Sequence, residues 1–234
     1  MEMMPPESWA GTEYLVTEFD TAGPHTVAGD RVRIMTLEPA AFVSVEPVPG
    51  GTSFVDGPVP CSAHDFFYLA NAGQFCDLAI ARGARITANP PRKLLVGHFP
   101  KSNSDGGSGD PSFVLVSPVN RHTCLQKRFF CFPGFNREPG KNGSFVNIVA
   151  PTSVIGWIQL DGQALLTGVT CLNYLTYAYP SPSPYSWARC LLPDPPANGA
   201  EHVLTSPTGI VPFAAYAYGQ KLYGAYAYPT GIGF

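Results

Sequence analysis

The chain has 234 residues, 25 Pro, 24 Gly and a net charge of −3, and only 13% of its side chains are charged, against about 25% in an ordinary soluble domain. The few basic residues are scattered, which gives no nucleic-acid surface, and no run of about 18 apolar residues is present to cross a membrane as a helix. Short strands joined by Gly and Pro turns account for this composition, and the chain is long enough to bury a sizeable core.

Taken in chain order, apolar residues alternate with a period of two over Tyr14–Phe19, Asp30–Leu37 and Ala41–Val48, each bounded by Gly or Pro. That period predicts half-buried strands. Ser62–Ala70 is the one helix candidate, with Ser62 as cap and Asp65 in the third helical position, and it should give at most a turn or two. Further strands are predicted at Asp77–Ile80, Ala84–Ala88, Lys93–His98, Phe113–Val116 and Phe145–Val149. Val154–Leu160 carries large residues on both sides and reads as a central strand. Asp161-Gly162 should turn it into a hairpin with Gln163–Leu166. Ser186–Leu191 and His202–Ser206 read as a further pair around the loop Pro193–Gly199.

The C-terminal region places Tyr and Ala alternately at Tyr216-Ala217-Tyr218 and Tyr226-Ala227-Tyr228. It predicts a hairpin of Pro212–Tyr218 with Leu222–Tyr228 and a turn near Gly219. Phe213, Ala215 and Ala217 share one face; Ala214, Tyr216 and Tyr218 share the other. Small residues on the buried face would let the opposite sheet come close, leaving the tyrosines at the outside or rim. The period alone also allows the reverse, with the tyrosine face buried. Trp157, Trp187, Tyr216, Tyr218, Tyr226 and Tyr228 are the aromatic candidates for a binding surface. For most of these rings the competing role is to cover a strand face.

Chemistry-bearing motifs are scarce. There is no Gly-x-Ser-x-Gly elbow and no His-Glu-x-x-His, and the Gly106–Gly109 cluster lacks the Lys-Ser/Thr of a phosphate loop. His202 stands beside Glu201, but no nucleophile, base and orienting group assemble around it, so no catalytic residue is expected. Asp105 and Asp110 lie in a Ser/Gly loop whose spacing is not that of an EF-hand, and no metal or cofactor is expected. The six cysteines, Cys61, Cys76, Cys124, Cys131, Cys171 and Cys190, form no Cys-x-x-Cys pair and fit three disulfides in an oxidising compartment. Each neighbouring pair brackets a turn-rich segment, which predicts Cys61–Cys76, Cys124–Cys131 and Cys171–Cys190. Asn142-Gly143-Ser144 is a glycosylation sequon.

Five blocks add to the C-terminal pattern. They are Pro5-Pro6-Glu7-Ser8-Trp9-Ala10-Gly11-Thr12-Glu13-Tyr14, Gly29–Ile34, Asp110-Pro111-Ser112 with the apolar run to Val119, Phe145-Val146-Asn147 continuing to Thr152, and Leu160-Asp161-Gly162. In this order, over nearly the whole chain, they resemble the IgGFc-binding protein N-terminal domain family, found in mucin-like secreted proteins beside von Willebrand-type modules. Two Cys-bearing insertions, at 56–76 and 121–140, depart from the family pattern. The resemblance implies an extracellular adhesion or matrix module with a protein or glycoprotein partner and no enzymatic activity. Immunoglobulin binding belongs to the namesake and does not transfer with the fold. Met1–Pro5 has neither a basic start nor an apolar run, so it is no signal peptide. The chain therefore reads as a portion of a longer secreted protein.

The expected architecture is an all-β, antiparallel β-sandwich spanning 1–234. Strands this short and close fit either one large sandwich or two consecutive ones divided near residues 100–110. The alternative function is a carbohydrate-binding module or lectin that uses the C-terminal aromatics.

Overall fold

The structure is a computed structural model that describes residues 7–19, 29–55, 61–100, 112–132, 135, 143–168, 170–193, 196–221 and 224–230. Among these residues there are strands and short 3-10 turns but no α-helix, and every strand pairing is antiparallel. The all-β sandwich class is the class the chain adopts. The chain divides into two compact units. One comprises Met1–Glu18, Ala28–Phe99 and Leu115–His122; the other comprises Phe19–Val27, Pro100–Val114 and Thr123–Phe234.

In the first unit the strands are β1 (Glu13–Val16), β2 (Asp30–Thr36), β3 (Ala41–Pro47), β4 (Thr52–Val55), β5 (Phe66–Leu69), β6 (Phe75–Ala81), β7 (Ala84–Ala88), β8 (Leu94–Phe99) and β9 (Val114–Leu115). They form two sheets, ordered β4-β6-β2-β8-β9 and β1-β7-β3-β5. The alternation that predicted β2 and β3 is the burial pattern observed, and β7 shows it too, whereas the strand expected at Tyr14–Phe19 runs over Glu13–Val16 with Tyr14, Leu15 and Val16 all buried. Val32 and Ile34, Val43 and Val45, and Ile86 point inward, and their neighbours are half-exposed or exposed. Tyr14 ties the two sheets together: its hydroxyl donates to the Leu94 carbonyl on β8 and accepts from Gly11 N at 3.0 Å. Burial holds the Tyr14 phenol well above its ordinary pKa. The one buried carboxylate of β6, Asp77, is met across the pair by Arg33 in a two-pronged contact of 2.8 and 2.9 Å. That geometry satisfies the carboxylate while leaving the long Arg stem on the sheet surface.

The helix expected at Ser62–Ala70 does not form; its second half is strand β5. Phe66-Phe67-Tyr68-Leu69 are strand-forming side chains, and pairing with β3 sends Phe67 and Leu69 inward. Tertiary pairing thus overrides the local capping signal. A disulfide between Cys61 and Cys76, Cα atoms 5.0 Å apart, ties the start of this segment to β6.

The second unit contains β10 (Lys127–Cys131), β11 (Gly143–Pro151), β12 (Gln159–Leu160), β13 (Gln163–Ala164), β14 (Asn173–Ala178), β15 (Tyr185–Leu191), β16 (Ala200–Thr205), β17 (Ala214–Lys221) and β18 (Gly224–Pro229). Its sheets are ordered β10-β16-β12-β13 and β14-β15-β11-β17-β18. Phe129, Ile158, Leu160 and Leu204 meet Val146, Ile148, Ala188, Ala215 and Ala217 in one core between them.

Several expectations fail in this unit. Val154–Leu160 is not a central strand: Ile155–Trp157 is a 3-10 turn, and only Gln159–Leu160 is strand. Ile155 and Ile158 would lie on opposite faces of a strand, and the turn is what lets both reach one core. The Asp161-Gly162 turn does form, with φ of 53° and 79°, as a two-residue hairpin with both central residues left-handed requires. Ser186–Leu191 and His202–Ser206 are not partners, because β15 and β16 lie in different sheets; Leu192 N bonds to Ser144 O at 2.9 Å beside β11 before the chain leaves for β16. Finally, Gly219 is not at the hairpin turn. It lies inside β17 opposite Tyr226, and the connection falls at residues 222–223.

The Cys171–Cys190 bridge is present, with Cα atoms 5.2 Å apart, but Cys124 and Cys131 are not joined. Lys127–Cys131 is extended, so its ends are separated by about 13 Å at the usual strand rise. Cys131 ends up buried in the core and Cys124 exposed.

Candidate functional site

Strand β10 reads Lys-Arg-Phe-Phe-Cys, and alternation sorts it cleanly. Lys127, Phe129 and Cys131 point inward; Arg128 and Phe130 point outward. It is the outer strand of its sheet, and among the described residues its far edge has no strand partner. Tyr228 supplies one. Its hydroxyl accepts from Phe130 N at 2.7 Å and donates to Phe130 O at 2.5 Å. One side chain from β18 therefore satisfies both hanging backbone groups of the edge, which otherwise would invite another strand. Burial pushes the Tyr228 phenol up to about 12, against the pull of its Phe130 backbone bond.

Around this clamp the aromatic side chains form a continuous cluster. Tyr226 lies 6.0 Å from Tyr228 on the same face of β18 and meets Phe132 and Phe135 edge-on, each at 4.9 Å. Phe132 meets Phe130 edge-on at 5.4 Å. Two glycines make room for these rings. A Cβ on Gly219 would run into the Tyr226 ring, and one on Gly199 into the Phe130 ring, so both rings lie directly against backbone. Such filling of a strand glycine by a cross-strand aromatic ring also pins the register of β17 on β18.

The cluster is buried at one end and open at the other. Tyr226 donates inward to Ser144 Oγ at 3.0 Å, and burial raises its pKa well above the ordinary phenol value. Cys131 lies beside the same two hydroxyls, and burial pushes its thiol up to about 11 despite the hydrogen bonds from Tyr226 and Ser144. At the open end Phe130 and Phe132 are 37% and 44% exposed. They line, with Arg128, Glu201 and Tyr228, an open groove of ≈ 650 Å³. The Arg128–Glu201 ion pair, 3.1 Å across the β10–β16 pair, stands at its rim in solvent.

His202 does not pair with Glu201. Its Nδ1 lies 2.7 Å from Asp161 Oδ2, and the other Asp161 oxygen accepts from Val203 N at 2.8 Å. The imidazole stacks on Phe129 at 5.3 Å, and no hydroxyl or thiol bonds its buried Nε2. The pair ties the β12–β13 turn to β16. Beneath β10, Lys127 is buried, with Nζ 2.9 Å from Thr123 Oγ1 and 4.6 Å from the Phe213 ring centre. Burial lowers this amine to about 8.

Of the six aromatic residues singled out in the sequence, the structure brings Tyr226 and Tyr228 to this site. Trp187, Tyr216 and Tyr218 are buried and are not surface residues. Trp187 stacks on Tyr177 at 5.0 Å, and Tyr218 is held between Phe19 at 4.6 Å and Phe145 at 5.0 Å. Both faces of β17 are covered, so neither of the two arrangements expected for it holds alone. Trp157 is 55% exposed on its 3-10 turn. Asn142, Asp105 and Asp110 lie outside the described residues. Phe130, Phe132 and Arg128 were missed, although the outward alternation Arg-x-Phe-x-Phe from Arg128 was available as a signal. Among the described residues no group of three His, Cys, Asp or Glu side chains is placed to hold a metal ion.

No curated protein matches this chain. Two solved structures of a lectin from Pleurotus ostreatus were compared with it, one in complex with GalNAc and one in apo form. They show 9% and 8% identity and TM-scores of 0.18 and 0.16, covering 94% and 100% of this chain and 81% and 84% of theirs. Scores that low carry no argument. The family comparison differs in kind: the model of the IgGFc binding protein family matches residues 1–219, and the chain belongs to that family.

Proposed function

We propose that this chain is a non-catalytic, extracellular module of adhesion, matrix or mucus type that acts by protein–protein contact through the groove at β10 and β18. The observation that carries the reading is the open end of the aromatic cluster. Phe130 and Phe132 are presented to solvent beside the Arg128–Glu201 pair, on a backbone clamped by Tyr228. Aromatic rings and Arg held rigidly at a surface are the residue types that dominate protein interfaces, because they bury much area at little cost in conformational freedom. Family membership and two disulfides support an extracellular site of action. Among the described residues no helix is long and apolar enough to cross a membrane. In this reading the chain is part of a longer secreted protein with von Willebrand-type neighbours, and its partner is an extracellular protein or glycoprotein. The carbohydrate alternative is weakened, since Trp187, Tyr216 and Tyr218 are closed to a ligand.

The test is interferometry of the chain against a panel of purified extracellular proteins, immunoglobulin included, alongside a glycan array. Phe130→Ser with Phe132→Ser should abolish a protein interaction in a chain that still folds by circular dichroism, at some cost in melting temperature because both rings pack at their inner edges. Binding confined to the array, or protein binding indifferent to this double substitution, would sink the proposal.

A further inference from the structure

The first unit carries a second aromatic surface, at strand β5. Phe66 and Tyr68 point away from the core, 54% and 46% exposed, and Phe42 of β3, opposite Tyr68 in register, is 41% exposed. The Phe42 ring lies 4.6 Å from Tyr68, and 5.8 Å from Phe66 with only 13° between the planes. Three large rings thus make a platform in solvent. β5 is also the outer strand of its sheet. Edge strands are ordinarily protected by charge, by Pro or by a cover; Phe-Phe-Tyr-Leu has neither charge nor Pro, and its four-residue length is the one such protection among the described residues.

The backbone of β5 is oriented for a partner. Val45 N donates to Asp65 O at 2.8 Å. In an antiparallel ladder hydrogen-bonded pairs recur at every second residue, so Val43–Phe67 and Ala41–Leu69 continue the bonded series. The N–H and C=O groups of Phe66 and Tyr68 therefore face the far side, where no strand pairs with them among the described residues.

The charge around this edge has one sign in excess. Glu46 lies on the same face, diagonal to Phe66, and Asp65 is exposed at the start of the strand. The cation on this face, Arg85, is shared between Glu46 at 3.1 Å and Glu13 at 2.8 Å, so it bonds two carboxylates and Asp65 lies outside its ion pairs. We infer that β5 is a docking edge for an extended, basic segment of a protein partner, added as a further strand of the sheet. The segment's backbone would bond the outward N–H and C=O groups of Phe66 and Tyr68. Its alternate Lys or Arg side chains would lie over the Phe66 and Tyr68 rings and reach Glu46, which shares their face, while the exposed Asp65 at the entry to the strand adds to the negative field. This site is separate from the groove of the second unit and does not rest on it.

The probes are two synthetic peptides of equal length, one alternating Lys or Arg with Val and the other alternating Glu with Val, titrated against the full chain by fluorescence anisotropy. The basic peptide should bind and the acidic one should not. Binding should weaken severalfold as salt rises from about 0.05 to about 0.5 M, since the charges are exposed. Tyr68→Pro removes an outward N–H at an edge position that tolerates Pro, and should weaken binding by about tenfold, the worth of one or two lost backbone bonds. Phe66→Thr with Tyr68→Thr keeps strand propensity and removes the rings, and serves if the Pro variant fails to fold; it too should weaken binding. Equal binding of both peptides, no binding, binding unchanged by the substitutions, or dimerisation of the chain through β5 in sedimentation would each overturn the inference.

Discussion

At the scale of single residues, the Tyr228 hydroxyl is the most testable contact in the second unit. It bonds both backbone groups of Phe130, and the site is exposed enough for water to replace it in part. Tyr228→Phe should therefore cost about 1 kcal/mol in urea denaturation with an unchanged slope, the usual net worth of such bonds. Lys127 makes a signed prediction. Its pKa falls from 10.5 to about 8 on folding, so between those values the unfolded chain holds a proton that the folded chain has released. Stability then rises with pH from about 8. Cys131 opposes this from about pH 9 upward, because its folded thiol, raised to about 11, keeps a proton that the unfolded thiol loses. The urea midpoint should climb between about pH 8 and 9, level off where the two groups oppose each other, and turn down above about pH 10, where the raised phenols of Tyr14, Tyr226 and Tyr228 also keep protons that the unfolded chain loses. Lys127→Met should abolish the climb and spare the downturn.

At the scale of elements, the C-terminal hairpin is part of the sandwich and no appendage. β17 lies between β11 and β18, and its Ala215 and Ala217 belong to the core. The small side chains let the facing sheet approach, while Tyr216 and Tyr218 fill the other face. Truncation after Ser206 removes an inner strand and the neighbour that clamps β10. Cooperative unfolding of the second unit should be lost, as followed by near-ultraviolet circular dichroism. A shortened chain that melts like the parent would show that the sheet closes without β17.

At the scale of the whole molecule, two units are each built from separated stretches of chain. Each is crossed by one disulfide, Cys61–Cys76 in the first and Cys171–Cys190 in the second. The two remaining cysteines differ sharply in reach, Cys124 exposed and Cys131 buried with a raised pKa. Iodoacetamide on the native, unreduced chain should therefore modify Cys124 alone, and a second thiol should appear only on unfolding. Peptide mapping that finds Cys124 and Cys131 bridged would contradict the structure and restore the pairing of neighbours expected from the sequence.

What the sequence determined by itself is the set of things that depend on local chemistry. Period-two alternation located β2 and β3, Asp161-Gly162 marked a turn because both positions need left-handed backbone, and two of three neighbouring cysteine pairs follow from closing short segments. The ordered blocks identified the family. Tertiary structure alone decided which face of each strand meets another sheet. Alternation states that two faces differ, and says nothing of what covers either; Tyr216 and Tyr218 are buried while Phe66 and Tyr68 are exposed, although both runs look alike. It also decided partnership: Phe66–Leu69, the second half of the helix candidate, became strand because β3 offered an edge, and β15 and β16 parted because they belong to different sheets. Both candidate sites exist for that reason. Tyr228 and Phe130 are separated by 98 residues, and only the packing of the two sheets brings the hydroxyl to the edge it covers.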